Sequence, residues 1–177
     1  MAQMQDVGNG STGPRADAAI EPITLSAQSV DGAERRVSSN ALQYWRDLAA
    51  PRRYPSIAQV TYDSAPALWE HFCIIKVGPE STDHIFVRAG SVLCEALGCD
   101  PTGKRVADVL PRQIVGRALY FQKAACDLMA PIDEAGKWVR ADGTEVLYRA
   151  VLLPLSDDQR SADFLLSAFS FRTIVNH

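Results

Sequence analysis

The sequence predicts an α+β protein: a five-stranded antiparallel sheet with helices on one face, preceded by an N-terminal helix. Two apolar, β-rich runs come first, then three helical patterns, then three more β-rich runs, which is an α+β order. Asp142-Gly143 separates two of these runs, and Asp-Gly tolerates positive φ in a two-residue hairpin turn. The run after this turn, residues 146–153, is largely apolar on both faces, which predicts a strand inside the sheet.

Composition restricts the class of protein. At 177 residues, with 47% hydrophobic and 22% charged residues, the chain has room for one globular domain with a core and a tail. A formal net charge of −3 argues against nucleic acid as the partner. The first 20 residues lack the features of a signal peptide, and no later run reaches the ~18 apolar residues of a membrane span. We therefore expect a cytoplasmic protein that has no contact with a membrane.

The N-terminal region divides into a tail and a helix. Residues 1–37 are rich in Gly, Ser, Ala, Asp and Gln, which predicts a flexible tail. Residues 38–71 begin at Ser38-Ser39-Asn40, where any of the three side chains can cap a helix that ends at Pro51. The apolar stripe of this helix consists of Ala41, Tyr44, Trp45 and Leu48. Two alternatives stay open: the stripe packs on the domain's own sheet, or it forms a dimer with a second copy.

The core domain is expected over residues 72–174. Strands are predicted at 72–77 and 84–88, a short helix that stops at Gly98, a second short segment at 106–110, and a long helix within 112–128. Strands follow at 132–139, 146–153 and 164–172. We expect a small ligand to lie on the concave side of the sheet, below the long helix.

This order of elements, with its turn motifs, resembles a PAS domain. The residues that carry the resemblance are Val87-Arg88-Ala89-Gly90, Leu97-Gly98, Gly103, Arg140-x-Asp142-Gly143 and Pro154-Leu155. Upstream, Leu42-x-Tyr44-Trp45 and Arg53-Tyr54-Pro55 are similar to the head of a PAS subfamily frequent in alphaproteobacteria, which extends the resemblance to residues 38–174. The loop after Arg53 keeps few of the acidic residues usual in that subfamily.

The resemblance implies a sensory or signalling domain that is not an enzyme. Such a domain binds a small organic molecule, a signalling protein such as a histidine kinase, or both, and this chain would act on its partner in trans, as a homodimer. The alternative is a constitutive protein-interaction or localisation module with a filled core and no ligand. A cavity of several hundred cubic ångströms would favour the sensor, and a densely filled core would favour the interaction module.

The resemblance does not identify a cofactor, and the residues argue against flavin and haem. A flavin photoreceptor of this fold needs an Asn-Cys-Arg type motif, whereas Cys99 here has neither the Asn nor the Arg beside it. A haem sensor needs a histidine near the long helix, and residues 112–137 contain none. His71, His84 and His177 are interpreted as surface or edge residues. The four cysteines show no ligand spacing, so no metal site is expected.

Candidate ligand-binding residues come from the long helix and the strands that face it. They are Ile114, Ala118, Phe121, Cys126, Trp138, Leu147, Tyr148 and Phe169. Core packing is the alternative for each of them. No catalytic residue is predicted: the acidic pairs Asp133-Glu134 and Asp157-Asp158 have no histidine near in sequence, so charged loops or strand ends account for them better than catalysis.

Overall fold

The computed structural model describes residues 32–175. The helices are α1 (Gly32–Ala49), α2 (Ser91–Leu97), α3 (Val106–Val109) and α4 (Val115–Leu128). The strands are β1 (Phe72–Lys76), β2 (Ile85–Arg88), β3 (Ile132–Val139), β4 (Glu145–Leu155) and β5 (Phe164–Ile174). Short 3-10 turns occupy Ile57–Gln59, Pro66–Leu68 and Ser81–Asp83. The part of the predicted tail that precedes residue 32 lies outside the described residues.

The five strands form one antiparallel sheet in the order β2-β1-β5-β4-β3. The first two strands form a hairpin, and β5 inserts between β1 and β4. Strand β4 has a hydrogen-bonded neighbour on each side, as its doubly apolar sequence predicts. The predicted α+β fold is confirmed.

The sheet has a different cover on each face, because successive side chains of a strand point to opposite sides. The front face carries Cys73, Ile75 and Tyr148 and packs against α2, α3 and α4. The back face carries Phe72, Ile74 and Leu166 and packs against α1. Both faces are therefore buried near the middle of the sheet, which is the reason for the nearly continuous apolar run in β4.

Helix α1 begins earlier than the sequence predicts. It starts at Gly32, so residues 32–37 belong to the helix and not to the tail. The predicted cap residue Ser38 lies inside the helix, where its side chain is buried in one stripe with Glu34, Ala41 and Trp45. The spacings of four, three and four are helical, so contact with the sheet extends the helix past a residue that favours a cap.

The same stripe shows where α1 packs. Ala41 is fully buried, and the Trp45 indole Nε1 donates a 2.7 Å hydrogen bond to the carbonyl oxygen of Pro154 on β4. Tyr44 and Leu48 are half-buried beside them, and the Tyr44 hydroxyl lies 2.7 Å from Ser64 Oγ. This geometry favours the alternative in which the stripe packs on the domain's own sheet. Dimerisation through these residues stays a prediction.

The segment after α1 is fixed to the β4–β5 loop. The Gln159 amide accepts hydrogen bonds from the backbone N–H groups of Arg53 and Tyr54 and donates to the Tyr54 carbonyl. The Arg52 guanidinium donates to the carbonyls of Ser156 and Asp157 at 3.2 and 2.9 Å. The Arg-Tyr-Pro segment therefore serves as a structural link between α1 and the sheet.

The turn between β3 and β4 differs from the predicted two-residue turn. Arg140 N donates to Thr144 O at 2.9 Å, and Gly143 N donates to Arg140 O at 3.0 Å, which leaves three residues in the loop. Within this loop, only Gly143 has a positive φ, at 84°, and Asp142 Oδ1 accepts a hydrogen bond from Thr144 N. The geometry is that of a turn followed by a left-handed glycine, in which Asp142 stabilises the loop with its side chain.

Arg140, at the start of this loop, ties the hairpin to α2. Its guanidinium donates to the carbonyl oxygen of Ala96 at 3.2 and 2.9 Å and to that of Glu95 at 2.9 Å. These are carbonyls of the last turn of α2, which ends at a left-handed Gly98, and the carbonyls at a helix C-terminus need partners from outside the helix ladder. The Arg-x-Asp-Gly motif therefore caps a helix as well as turning a hairpin.

Candidate functional site

The candidate site is an internal cavity between α4 and the front face of the sheet. Its volume is about 50 Å³. Its walls are mainly aliphatic and aromatic, and four polar side chains reach it from different elements: Gln122 of α4, Glu134 of β3, Tyr148 of β4 and Ser167 of β5. All four are at least nine-tenths buried.

The structure brings half of the predicted ligand-binding residues together here. Ile114, Ala118, Tyr148 and Phe169 line the cavity. Phe121 and Cys126 pack at the margin of the surrounding core, and Trp138 is buried next to Tyr148, with 5.5 Å between the ring centroids.

Leu147 lies outside this group because it is on the other side of β4. Its neighbours Val146 and Tyr148 belong to the front core, and the period of two directs Leu147 to the back of the sheet. The alternation of the strand, which is visible in the sequence, separates Leu147 from Tyr148.

The sequence interpretation missed the most polar part of the cavity. The sequence predicts a loop or strand end at Glu134, but this residue lies within β3 on the same face as Trp138, four residues away. The period of two along β3 places both side chains on the front face and Asp133 on the back. The acidic pair is therefore split across the sheet, and only Glu134 reaches the cavity.

Glu134 and Tyr148 form a buried hydrogen-bonded pair. The Tyr148 hydroxyl donates to Glu134 Oε1 at 2.7 Å. Burial raises the pKa of the Glu134 carboxyl, while the Tyr148 hydrogen bond and the positive charge of Arg117 oppose the rise. Burial also raises the pKa of the Tyr148 phenol, and the neighbouring carboxylate adds to this effect. Burial thus disfavours the charged form of both groups, and the hydrogen bond from Tyr148 offsets part of this effect for Glu134.

Neighbouring rings and a glycine hold Tyr148 in position. Its ring stacks on Phe169, with 5.7 Å between centroids and 19° between planes, and Trp138 contacts it from the side. Gly136 faces the phenol, and a Cβ on that residue would lie 2.8 Å from a ring carbon of Tyr148. The absence of a side chain at Gly136 lets the ring lie flat over β3 and aim its hydroxyl at Glu134.

Gln122 brings an acceptor without a partner into the cavity. Its side chain is 4% exposed, and its Oε1 has no hydrogen-bond partner within the described part of the chain. A buried amide oxygen of this kind is normally satisfied by a polar hydrogen from protein, water or ligand. The cavity has the volume for a few atoms, since one water occupies about 30 Å³ of liquid.

The thiols and imidazoles near the site are not arranged for chemistry. Burial raises the pKa of the Cys73 thiol to about 12 and that of Cys126 to about 11, which disfavours the nucleophilic thiolate. His84 directly precedes the edge strand β2, in agreement with the edge position that the sequence allows, but it is 3% exposed, and its Nδ1 accepts a hydrogen bond from Gly78 N. His177 lies outside the described residues.

The second acidic pair has a structural role. Asp158 accepts hydrogen bonds from the backbone N–H groups of Arg160 and Ser161 and from the hydroxyl of Ser156. These bonds hold the pKa of Asp158 well below its usual range and shape the β4–β5 loop. Among residues 32–175, no cluster of His, Cys, Asp and Glu is suited to hold a metal ion.

The topology decides the fold. Two strands, three helices and three strands form a sheet in the order 2-1-5-4-3, with the cavity between the last of these helices and the sheet. The chain has a PAS fold. The Arg-x-Asp-Gly hairpin of the PAS resemblance connects β3 to β4 and contacts α2 in this fold.

Comparisons with known proteins find distant structural similarity and no match by sequence. No protein-family model and no curated protein matches the sequence. A LOV protein of Rhodobacter sphaeroides is 14% identical with a TM-score of 0.46, over 56% of this chain and 57% of its own. A light-oxygen-voltage domain is 13% identical with a TM-score of 0.48, over 64% and 84%. The PAS domain of an HTR-like protein from Haloarcula marismortui is 18% identical with a TM-score of 0.38, over 63% and 96%.

These identities and TM-scores describe a likeness of fold alone, so no property of those proteins is transferred to this chain. In the part of the chain that the structure describes, no helix is both long and apolar enough to cross a membrane.

Proposed function

We propose that this chain is a non-enzymatic signalling PAS domain that acts in trans by binding another signalling protein, with its core filled by its own side chains. The observation that carries the proposal is the cavity of about 50 Å³. Pockets for ligands of ordinary size measure about 300–1,000 Å³. The domain therefore works through its surface, and a protein such as a histidine kinase, or a second copy of the chain, is the partner.

The proposal includes that the domain is not an enzyme. Its support is the chemistry of the buried groups: Glu134 is hydrogen-bonded to Tyr148 in a small cavity, and the Cys73 thiol has a raised pKa. The Asp158 carboxylate is occupied by backbone groups of its own loop. None of these arrangements joins a nucleophile to a base in an open cleft.

A second function, the sensing of a very small polar molecule, is favoured by one specific observation. Among the described residues the Gln122 Oε1 has no hydrogen-bond partner, and Gln122 lines the same cavity as the Glu134–Tyr148 pair. A molecule of a few atoms that donates a hydrogen to Gln122 would satisfy this acceptor, and its arrival would bias the packing of α4 on the sheet.

Native mass spectrometry of the protein purified from its own host distinguishes the two functions. The filled-core proposal expects that no retained mass, and no increase in melting temperature with cell metabolites, depends on Gln122. A retained small mass that disappears in Gln122→Leu would instead establish the sensor. Gln113→Leu, on the exposed residue just before α4, is the matched control and should leave such a mass in place.

A quantitative cross-linking experiment in the host tests the partner. The tagged chain is expected to enrich one signalling protein or a second copy of itself over a tag-only control. A chain that binds no protein, at the concentration found in its host, would refute the proposal.

A further inference from the structure

A second cavity, of about 320 Å³, lies on the opposite side of the sheet from the internal cavity. Helix α1 forms one wall with Arg35, Ser38, Ser39 and Leu42. The other wall is the back of β3 and β4, with Asp133, Arg149 and Val151. The sheet separates the two cavities, so a ligand of this one would not touch Glu134 or Gln122.

Among residues 32–175, two buried polar atoms beside this cavity lack hydrogen-bond partners. Ser38 is 6% exposed, and its hydroxyl oxygen has no hydrogen-bond partner. The half-buried Arg149 likewise has no hydrogen-bond partner for its Nε. A buried donor without an acceptor is destabilising, so both atoms favour an acceptor in the cavity that their residues line.

The charges of the walls select the kind of acceptor. Arg35 and Arg149 contribute two guanidinium groups, and Asp133 contributes one exposed carboxylate. Within residues 32–175, no ion pair joins either arginine to a carboxylate. Guanidinium groups bind carboxylate and phosphate oxygens in a fork geometry, and serine hydroxyls donate to the same oxygens.

We propose that this cavity, the α1–sheet cavity, binds a small metabolite that carries a carboxylate or a phosphate monoester. The oxyanion contacts Arg149, Arg35 and the Ser38 hydroxyl. Asp133, on the rim, accepts a hydrogen bond from a hydroxyl or ammonium group of the same molecule. Leu42 and Val151 provide the apolar part of the walls, which suits a short carbon chain.

Such a ligand would connect α1 to the sheet. Its oxyanion would contact Ser38 on the helix and Arg149 on β4 at once, so its binding favours the state in which α1 is docked. The proposal does not depend on the function assigned to the internal cavity, because the two sites share no residue.

Titration of the full 177-residue chain with two probes tests the proposal. The probes are glycerol 3-phosphate and L-malate, each against sodium chloride at equal ionic strength, and the readout is the ¹⁵N–¹H signals of the arginine Nε groups. We expect saturable shifts of the Arg149 and Arg35 signals with at least one probe, at a dissociation constant below about 1 mM. The probe that saturates identifies the oxyanion as phosphate or carboxylate.

Variants locate the site. Arg149→Gln and Ser38→Ala are expected to weaken binding at least tenfold and about threefold, respectively. Arg35 is exposed, so Arg35→Gln should fold normally. This variant replaces Arg149→Gln in the test if Arg149→Gln fails to fold. Arg46→Gln, on the exposed side of the same helix, is the matched control and should leave the affinity unchanged. Shifts that stay linear with both probes, or equal losses in Arg46→Gln and Arg35→Gln, would overturn the proposal.

Discussion

Replacement of Arg140 by methionine is expected to destabilise the whole domain, although Arg140 is outside both cavities. Arg140 is half-buried, and its guanidinium donates to the carbonyls of Glu95 and Ala96 at the end of α2. Its guanidinium carbon also lies 5.9 Å from the ring centroid of Phe171 on β5. One side chain thus joins the β3–β4 hairpin, a helix end and the neighbouring strand.

The magnitude follows from these contacts. Hydrogen bonds to a charged group contribute about 1.5–3 kcal/mol to stability when buried, and partial exposure of Arg140 puts the value near the lower end. The positive charge at a helix C-terminus adds about 0.3–1 kcal/mol. We therefore expect Arg140→Met to lower the free energy of unfolding by about 2 kcal/mol, which corresponds to a fall in melting temperature of roughly 4–8 °C for a protein of this size.

Urea unfolding followed by circular dichroism measures the effect. Arg140→Lys keeps the charge but lacks the planar fork, so it should lose about half as much as Arg140→Met. Arg160→Met, on an exposed residue of the β4–β5 loop, is the control and should stay within about 0.5 kcal/mol of the parent. If Arg140→Met had the same free energy of unfolding as Arg160→Met, at an unchanged denaturant slope, the contacts of Arg140 with α2 would not contribute to stability.

Two further substitutions test the buried contacts. Burial raises the pKa of Glu134 in the folded state. Between the pKa of the unfolded state and that of the folded state, the folded protein therefore binds more protons than the unfolded protein, and its stability falls as the pH rises through this range. Glu134→Gln should remove this fall, as measured by urea midpoints from pH 4 to 8. Trp45→Phe removes the 2.7 Å bond to the Pro154 carbonyl and should lower the unfolding free energy by about 2 kcal/mol in the same assay.

Each of these has its own control. Glu95→Gln alters an exposed carboxyl on α2 and should keep the pH profile of the parent; a parent-like profile in Glu134→Gln would mean that Glu134 does not cause the fall. Tyr62→Phe changes an exposed aromatic residue, and a Trp45→Phe protein as stable as Tyr62→Phe would show that the indole bond is energetically neutral.

The strands were predictable because their patterns are strong. Residues 132–139 match β3 exactly, and the doubly apolar run after the hairpin places β4 inside the sheet. Turn geometry was less predictable: Asp-Gly permits several loops, and the hydrogen bond from Thr144 to the Asp142 side chain selects the three-residue form. Local sequence specifies that a turn occurs, whereas pairing across the strands specifies which turn.

The cavity was only half predictable, since it depends on which elements pack together. Ile114 and Phe169 follow from the apolar patterns of residues 112–128 and of β5. The Glu134–Tyr148 pair requires the register in which Glu134 lies opposite Ala150, two residues from Tyr148, and no local pattern reveals that register. The predicted start of α1 is wrong for a similar reason, because contact with the sheet overrides the capping preference of Ser38.

Helix α1 also determines what a shortened chain would expose. The back of the sheet, with Phe72, Ile74 and Leu166, is apolar throughout its middle and has α1 as its cover. A contiguous apolar patch of this kind on a soluble protein promotes association. A chain that starts after Pro51 would therefore form oligomers because its hydrophobic surface is exposed. The oligomeric state of this protein has to be measured with α1 present.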